Sequence, residues 1–522
     1  MRKIQRLPLG DSSYESIRAN ECVYVDKTRH LFQMVDEGKY YFMSRPRRFG
    51  KSLTVSTLRC LFQGKKNLFD GLWIAENTEW EWKPHPVILL DFNEISHDTP
   101  ENLKLSLRRT LEQIAEAHDL PSEAPLLKNQ FKELILSLYQ KTGMPVVILI
   151  DEYDKPLIDH LGKGEKALET AKANRDVLKY FFGVIKGGDV SSVLRLVLIT
   201  GVSKFSRVSI FSELNNLEDL TMTEPYADML GYTREELGTY FRPHIRALSE
   251  KTGIPETGIM EKLEWYYDGY RFSKRDIRVY NPFSVLSVLK QKDFRNYWFE
   301  TGTPTFLVNL LKESDYQVAK IENLQLDEQI FSVYEIERLQ PEALLYQAGY
   351  ITIRDIEDDI FSFRYPNQEV RISFLKFLMF SYIPGNGSDK SLFLRLSGFL
   401  KQENTDAFIE AVKAIFASIP YALETKRDEA YFHTIFYLMV CASGVNARSE
   451  IMSCKGRVDL VMEFPDKIYI IEFKCNQSAQ AGIDQIREKG YADPYRQCGK
   501  KIILMGINFD SEKRNIIEWK IA

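Results

Sequence analysis

Four short runs in the first 220 residues, KYYFMS, HPVILLDF, MPVVILIDEYD and LRLVLITG, are apolar without interruption. Continuous apolar character suits strands buried on both faces of a parallel sheet, whereas a half-exposed strand would alternate. The intervals between the runs are long enough for the helices that parallel neighbours need as crossovers. The expectation is a βαβ core over residues 1–221. At 522 residues the chain exceeds the size of one growing core, so further domains must follow.

From about residue 222 the pattern turns helical, and GYTREEL offers a capping box in which Thr233 caps and Glu236 reaches back. A mostly helical lid and linking region is expected over 222–384. SYIPGNGSDKS, rich in Pro, Gly and small polar residues, is the strongest linker signal and sets a boundary near Pro384. Residues 385–522 read as a helical lead-in to about 442, then strands GRVDLVMEF and KIYIIEFKC, a helix near 478–490 and a final strand KKIILMGINF.

Composition excludes several classes. A hydrophobic content of 44% with 27% charged residues describes a globular chain rather than a disordered one. The net charge of −4 means that nucleic-acid contact has to come from a local basic patch. Six cysteines without a CxxC pair argue against a zinc site or a secreted disulfide framework, and a reducing cytoplasm is the expected compartment. The amino terminus has no apolar run after its basic residues and no span-length apolar stretch follows, so no membrane segment is expected.

The first run leads into SRPRRFGKS and then the helix-compatible KSLTVSTLRCLF, an order that aims backbone N–H groups and a helix dipole at an anion. In that arrangement Lys51 neutralises the β- and γ-phosphates of ATP and Ser52 ligates Mg²⁺, while Gly50 lets the backbone approach. Arg45, Arg47, Arg48 and Phe49 complete the nucleotide-binding bend around Pro46. Arg45 stands where such a loop has a glycine, and Pro46 restricts it to an extended conformation, so the turn must begin differently.

Asp151 and Glu152 end the third run. Asp151 is the candidate for holding the metal's water shell, and Glu152 for the base that polarises the attacking water. A pair of acids at a strand's end is also what any strand entering a polar loop can show. The order of runs separates the two readings: loop strand, one intervening strand, Asp-Glu strand, then a strand ending in Thr200 matches ATPases with a glutamate base. Thr200 is then the γ-phosphate sensor, with Ser203 the second choice.

LPLGDSSYESIRANECVYVDKT, SRPRRFGKS, LIDEYDKPL, SIFSELNNLEDL, YDGYRF and YNPFSVL together resemble the bacterial AAA-ATPase-like family, whose members often carry a carboxyl-terminal PD-(D/E)XK nuclease-like domain. The likeness runs from about Leu7 to Tyr495. It implies a P-loop NTPase core of the ASCE/AAA type, and Arg45 in place of glycine is a feature of that family's loop.

In KGRVDLVMEFPDKIYIIEFKC the strand period puts Glu472 and Lys474 on one face. If this strand pairs with the one before Pro465, Asp459 and Glu472 converge on one small volume. They would bind Mg²⁺, or Mn²⁺, with the Phe473 carbonyl, while Lys474 orients the water that attacks a phosphodiester. An exposed Glu–Lys pair on a hairpin is the plain alternative. The Gly456-Arg457-x-Asp459 approach and the helix bearing Gln485, with Tyr491 after it, resemble the PD-(D/E)XK core. That resemblance implies an upstream-helix glutamate, matched by Glu429, with His433 one turn on.

The expected activity is therefore ATP binding and hydrolysis coupled to a Mg²⁺-dependent nuclease acting on DNA or RNA. The rival is a signalling ATPase whose carboxyl domain docks nucleic acid or protein without cutting. ATP and nucleic acid are the expected partners; homo-oligomer formation is left open, and the sequence assigns no arginine finger in trans.

Overall fold

Strand β1 (Tyr40–Ser44) is buried along its whole length, as are β3 (Val146–Asp151) and nearly all of β4 (Leu194–Gly201). With β2 (Val87–Asp91) and the two-residue β5 (Glu218–Asp219) they form an all-parallel sheet in the order β2-β3-β4-β1-β5. Three of the four continuous apolar runs, those of β1, β3 and β4, thus occupy doubly covered positions, whereas β2 lies at the sheet's edge and alternates between buried and half-buried residues. The computed structural model describes residues 4–121, 124–204, 210–211, 216–298, 305–313, 316, 318–331, 340–382, 389–419, 429–453 and 455–522.

Helix α1 (Lys51–Phe62) leaves the carboxyl end of β1 through Gly50 and packs on β3 and β4. Helices α2 (Pro100–Ala117), α3 (Leu127–Thr142) and α4 (Glu165–Phe182) pack on one another, with the Phe131 and Phe181 rings stacked at 4.5 Å. Thr99 caps α2 ahead of Pro100, which has no N–H to satisfy, and Gly143 ends α3 in the left-handed conformation.

The helical segment that follows begins as expected, with the Thr233–Glu236 capping box closed in both directions. Its core gathers Leu237, Phe241, Leu248, Leu263 and Val285, and takes in Val23 and Val25 from the amino-terminal segment. Strands at Thr352–Glu357 and Ile360–Arg364 interrupt the stretch expected to be mostly helical. The linker placed at Pro384 lies outside the described residues. By packing, the chain divides into two compact units, Met1–Leu310 with Asp327–Asp359, and Leu311–Leu326 with Ile360–Ala522.

The second unit holds a mixed sheet in sequence order: β6 (Asn446–Ser453), β7 (Gly456–Glu463), β8 (Lys467–Cys475), β9 (Lys501–Asp510) and β10 (Asn515–Ile521). Only β8 and β9 are parallel, and helix α6 (Ala479–Glu488) is their crossover. The preceding helix α5 (Glu429–Ala442) is buried over most of its length, and its Phe432 stacks on Phe509 at 4.6 Å. Two strands of this sheet go beyond the sequence expectation: β6, where apolar residues are sparse, and β10, an edge strand with four of its seven residues exposed. No helix among the described residues is long and apolar enough to cross a membrane.

Candidate functional site

The loop after β1 solves its missing glycine by not turning there. The Arg45 N–H donates to the Gly201 carbonyl at 3.1 Å, which carries the β1–β4 pairing one residue past Ser44. The turn falls instead at Arg48, with φ of 68°, and Gly50, with φ of 98°. Freed from the turn, the Arg45 side chain runs inward and is 1% exposed. Its guanidinium donates to the carbonyls of Ser44 (3.0 Å), Thr221 (2.8 Å) and Tyr226 (3.1 Å), and lies 4.3 Å from the Phe272 ring centre. Burial lowers its pKa to about 10, which leaves it charged at neutral pH. Phe49 is buried edge-on against Tyr270 and Phe272.

Lys51 begins α1 and folds back over the loop. Its ammonium donates to the carbonyls of Arg45 (3.1 Å) and Pro46 (3.3 Å) and sits 3.3 Å from Glu152 Oε1. At the end of β3, Asp151 is 2% exposed and accepts hydrogen bonds from the Thr200 and Ser52 hydroxyls. Burial pushes its carboxyl above the ordinary value, with those two hydrogen bonds opposing. Glu152 has φ of 55°, a left-handed backbone that turns its carboxylate away from the strand's path and toward Lys51. A hydroxyl and a carboxylate side by side at the start of α1 make a hard-oxygen donor set, which suits Mg²⁺.

A cavity of about 410 Å³ opens over this loop, and Arg47, Arg48, Gly50, Lys51, Ser52 and Glu152 all line it. Arg45, Phe49, Asp151 and Thr200 are buried and do not form its wall. Sequence reading missed the other walls: Pro8, Gly10, Asp11 and Ser12 near the amino terminus, and Tyr232 and Phe283 from the helical segment. These approach the loop through long-range packing, which local patterns do not encode. Asp154 was also missed. It is fully buried and accepts from the backbone N–H of Val202 (3.1 Å) and Ser203 (2.7 Å) and from the Ser203 hydroxyl (2.6 Å). Burial, and then the charge of Glu152, raise its pKa to about 6. It ties the turn after β3 to the turn after β4, and Ser203's hydroxyl is committed to it.

In the second unit the β7–β8 pairing ends at Leu460 with Ile471, and Asp459 and Glu472 are the next residue on each strand. The Phe473 N–H donates to Asp459 Oδ2 at 2.8 Å, while the Phe473 carbonyl accepts from Lys474 at 2.8 Å. Glu472 is 2% exposed and Lys474 is 8% exposed, because β8 is an inner strand; an exposed ion pair does not describe them. Glu472 accepts from Lys474 and from the Gln485 amide of α6. Burial and then the Asp459 charge push the Glu472 carboxyl up to about 8, and burial raises Asp459 as well. Two buried carboxylates in mutual repulsion beside a backbone carbonyl fit a divalent cation, whose charge offsets that repulsion.

Glu429, at the start of α5, accepts from the Cys475 N–H, and burial raises its carboxyl despite the nearby Lys474. His433 packs on the Phe473 ring and pairs through Nδ1 with Glu450 at 3.3 Å. Glu450 was missed by sequence reading. It lies on β6 between Ser449 and Ile451, which pair with Leu460 and Val458, has φ of 57°, and also pairs with Arg457. A left-handed residue inside a strand leaves no mark in residue type. Tyr491 lies against the amino end of β7, with its hydroxyl 2.7 Å from where a Cβ on Gly456 would stand. Among the described residues no three His, Cys, Asp or Glu side chains converge as a ready metal cage.

Residues 8–211 match a family model described as "Predicted AAA-ATPase", and residues 427–519 match one for the PD-(D/E)XK nuclease superfamily. The two matches contain the loop after β1 with Asp151 and Glu152, and Glu429 with the β7–β8 carboxylates, respectively. The chain is also 34% identical over 524 residues to the "Uncharacterized protein in vnfD 5'region" of Azotobacter chroococcum mcd 1, covering 98% of each chain. Identity of that extent across both units places this chain in the same family as the Azotobacter protein, one that joins an AAA-ATPase-like domain to a carboxyl-terminal PD-(D/E)XK nuclease superfamily domain.

Proposed function

We propose that the chain binds and hydrolyses ATP in a P-loop NTPase core of the ASCE/AAA type, and that its carboxyl-terminal domain is a Mg²⁺-dependent nuclease acting on DNA or RNA. The observation that carries the ATPase reading is the single cavity shared by Lys51, Ser52, Glu152 and the arginines of the loop. The sheet order β2-β3-β4-β1-β5 supports it, since it sets the loop strand and the Asp-Glu strand on either side of the strand bearing Thr200.

In this reading Lys51 exchanges the loop carbonyls for the β- and γ-phosphates, and backbone N–H groups of the Arg48–Ser52 turn cradle the chain of phosphates. Ser52, with Asp151 behind it, would hold Mg²⁺, which neutralises phosphate charge when bound. Glu152, released from Lys51 by the incoming nucleotide, accepts a proton from the attacking water. Thr200, expected from the sequence to sense the γ-phosphate, is buried with its hydroxyl on Asp151, so its proposed role is instead to keep that carboxylate aimed at Ser52. Arg45 and Phe49 serve by fixing the loop rather than by touching ATP.

In the carboxyl-terminal domain, Asp459, Glu472 and the Phe473 carbonyl would hold a divalent cation, which supplies Lewis-acid stabilisation to a phosphodiester. Lys474 orients the water, and Glu429 sits beside it as a further acid or base. Placement in the cytoplasm is part of this proposal.

The test has two arms. Glu152→Gln should bind ATP as tightly as wild type and lose hydrolysis by about 100-fold or more, because the amide keeps the shape but takes no proton. Equal turnover by the two proteins would exclude Glu152 as the base. Divalent-dependent cleavage of plasmid, linear or single-stranded substrates should vanish in Asp459→Ala and in Glu472→Ala. Wild-type protein that binds no divalent cation, or cleavage surviving in both variants, would leave the non-cutting docking domain as the better account.

A further inference from the structure

Lys155 also lines the cavity over the phosphate loop, and the mechanism above gives it no work. It opens the short helix Lys155–Ile158, and its N–H donates to the Glu152 carbonyl at 3.0 Å. Lys155 therefore follows Glu152 by one turn, and both side chains reach the same cavity. Its ammonium rests 3.0 Å from Asp159 Oδ2, another lining group.

Asp159 does not depend on Lys155. His97 Nε2 contacts the same oxygen at 3.1 Å, and His97 is fixed by its own Nδ1 on the Ile95 carbonyl at 2.7 Å. The His97 carbonyl in turn accepts from His160 and from the buried Asn174, each at 2.8 Å. Asp159 would thus remain paired if Lys155 left. The Lys155–Asp159 pair is about one-third exposed on both sides (31% and 35%), so water screens it and a multiply charged phosphate can outcompete it.

We propose that Lys155 is a catalytic residue of ATP hydrolysis, a cation that leaves Asp159 for the terminal phosphate and supplies in cis the charge that many such enzymes take from a second subunit. The proposal rests on the ATPase reading. As the water oxygen bonds to the γ-phosphorus, the bond from that phosphorus to the bridging oxygen breaks. Its electron pair stays on ADP, and the water's proton passes to Glu152. Negative charge rises on the γ- and bridging oxygens during this step, and Lys155 meets it from the Glu152 turn while Lys51 meets it from α1.

The experiment compares full-length wild type, Lys155→Ala and Lys155→Arg in Mg²⁺-ATP hydrolysis and in separate ATP and ADP titrations. Lys155→Ala is expected to lose hydrolysis by about 100-fold or more, to weaken ATP binding and to leave ADP binding unchanged. Lys155→Arg should recover part of the rate, and the wild-type rate per chain should not change on dilution. Wild-type turnover by Lys155→Ala, an equal loss of ATP and ADP affinity, or a rate per chain that falls on dilution would each overturn the inference while leaving the ATPase reading intact. Wild type that binds no ATP would remove both.

Discussion

Arg45 occupies a position where a phosphate loop has a glycine, yet restoring the glycine should harm this protein. The guanidinium satisfies three backbone carbonyls in a fully buried site, and the chain there is extended, so glycine's freedom has no use. Arg45→Gly should cost about 2–4 kcal/mol, because it leaves buried acceptors unpaired and opens a void beside Phe272. Lysine should not rescue it, since one ammonium cannot span carbonyls on Ser44, Thr221 and Tyr226. Chemical denaturation of the three proteins, followed by a probe in the first unit, decides this; a glycine variant as stable as wild type would show that the buried arginine contributes nothing.

The packing of α6 on its sheet decides whether Gln485 can reach Glu472, and two small residues permit it. A Cβ on Gly506 of β9 would stand 2.0 Å from the Ala479 carbonyl oxygen, and one on Gly482 would stand 3.0 Å from the Glu472 carbonyl oxygen. Gly506→Ala must therefore push α6 off the sheet. The expected cost is about 2–3 kcal/mol together with loss of divalent affinity, as Glu472 loses its amide partner. Melting temperature and metal affinity left at wild-type values would contradict that close approach. At this scale much was readable beforehand. Strands β1, β3, β4 and β8 announce themselves because strands buried along their length are apolar almost throughout, whereas β5, only Glu218 and Asp219, carries no such signal. Strand β6 could not be read, since NARSEIMS carries few apolar residues and its Glu450 has a left-handed backbone. The site divides the same way. Lys51, Ser52 and Glu152 follow from a local strand-loop-helix order, whereas the wall of Pro8, Gly10, Asp11 and Ser12, together with Asp154 and Glu450, reaches its place through contacts distant in sequence.

Across the whole molecule, the proposed nucleotide belongs to the first compact unit and the proposed divalent cation to the second, each at a sheet whose inner strands carry the acids. Hydrolysis, the role of Glu152 and the role of Lys155 all require ATP in the cavity over Lys51. Lys51 already makes the contacts of a cation awaiting an anion: two loop carbonyls and the carboxylate of Glu152, all of which a phosphate can displace. Without that ammonium the loop keeps its N–H donors but loses the full charge at the β- and γ-phosphates. Calorimetric titration of Mg²⁺-ATP into wild type and Lys51→Ala is the most direct measurement. Saturable binding to wild type and none to the variant at the same concentrations is the expected result; equal affinities, or no binding to wild type, would contradict a nucleotide site at Lys51.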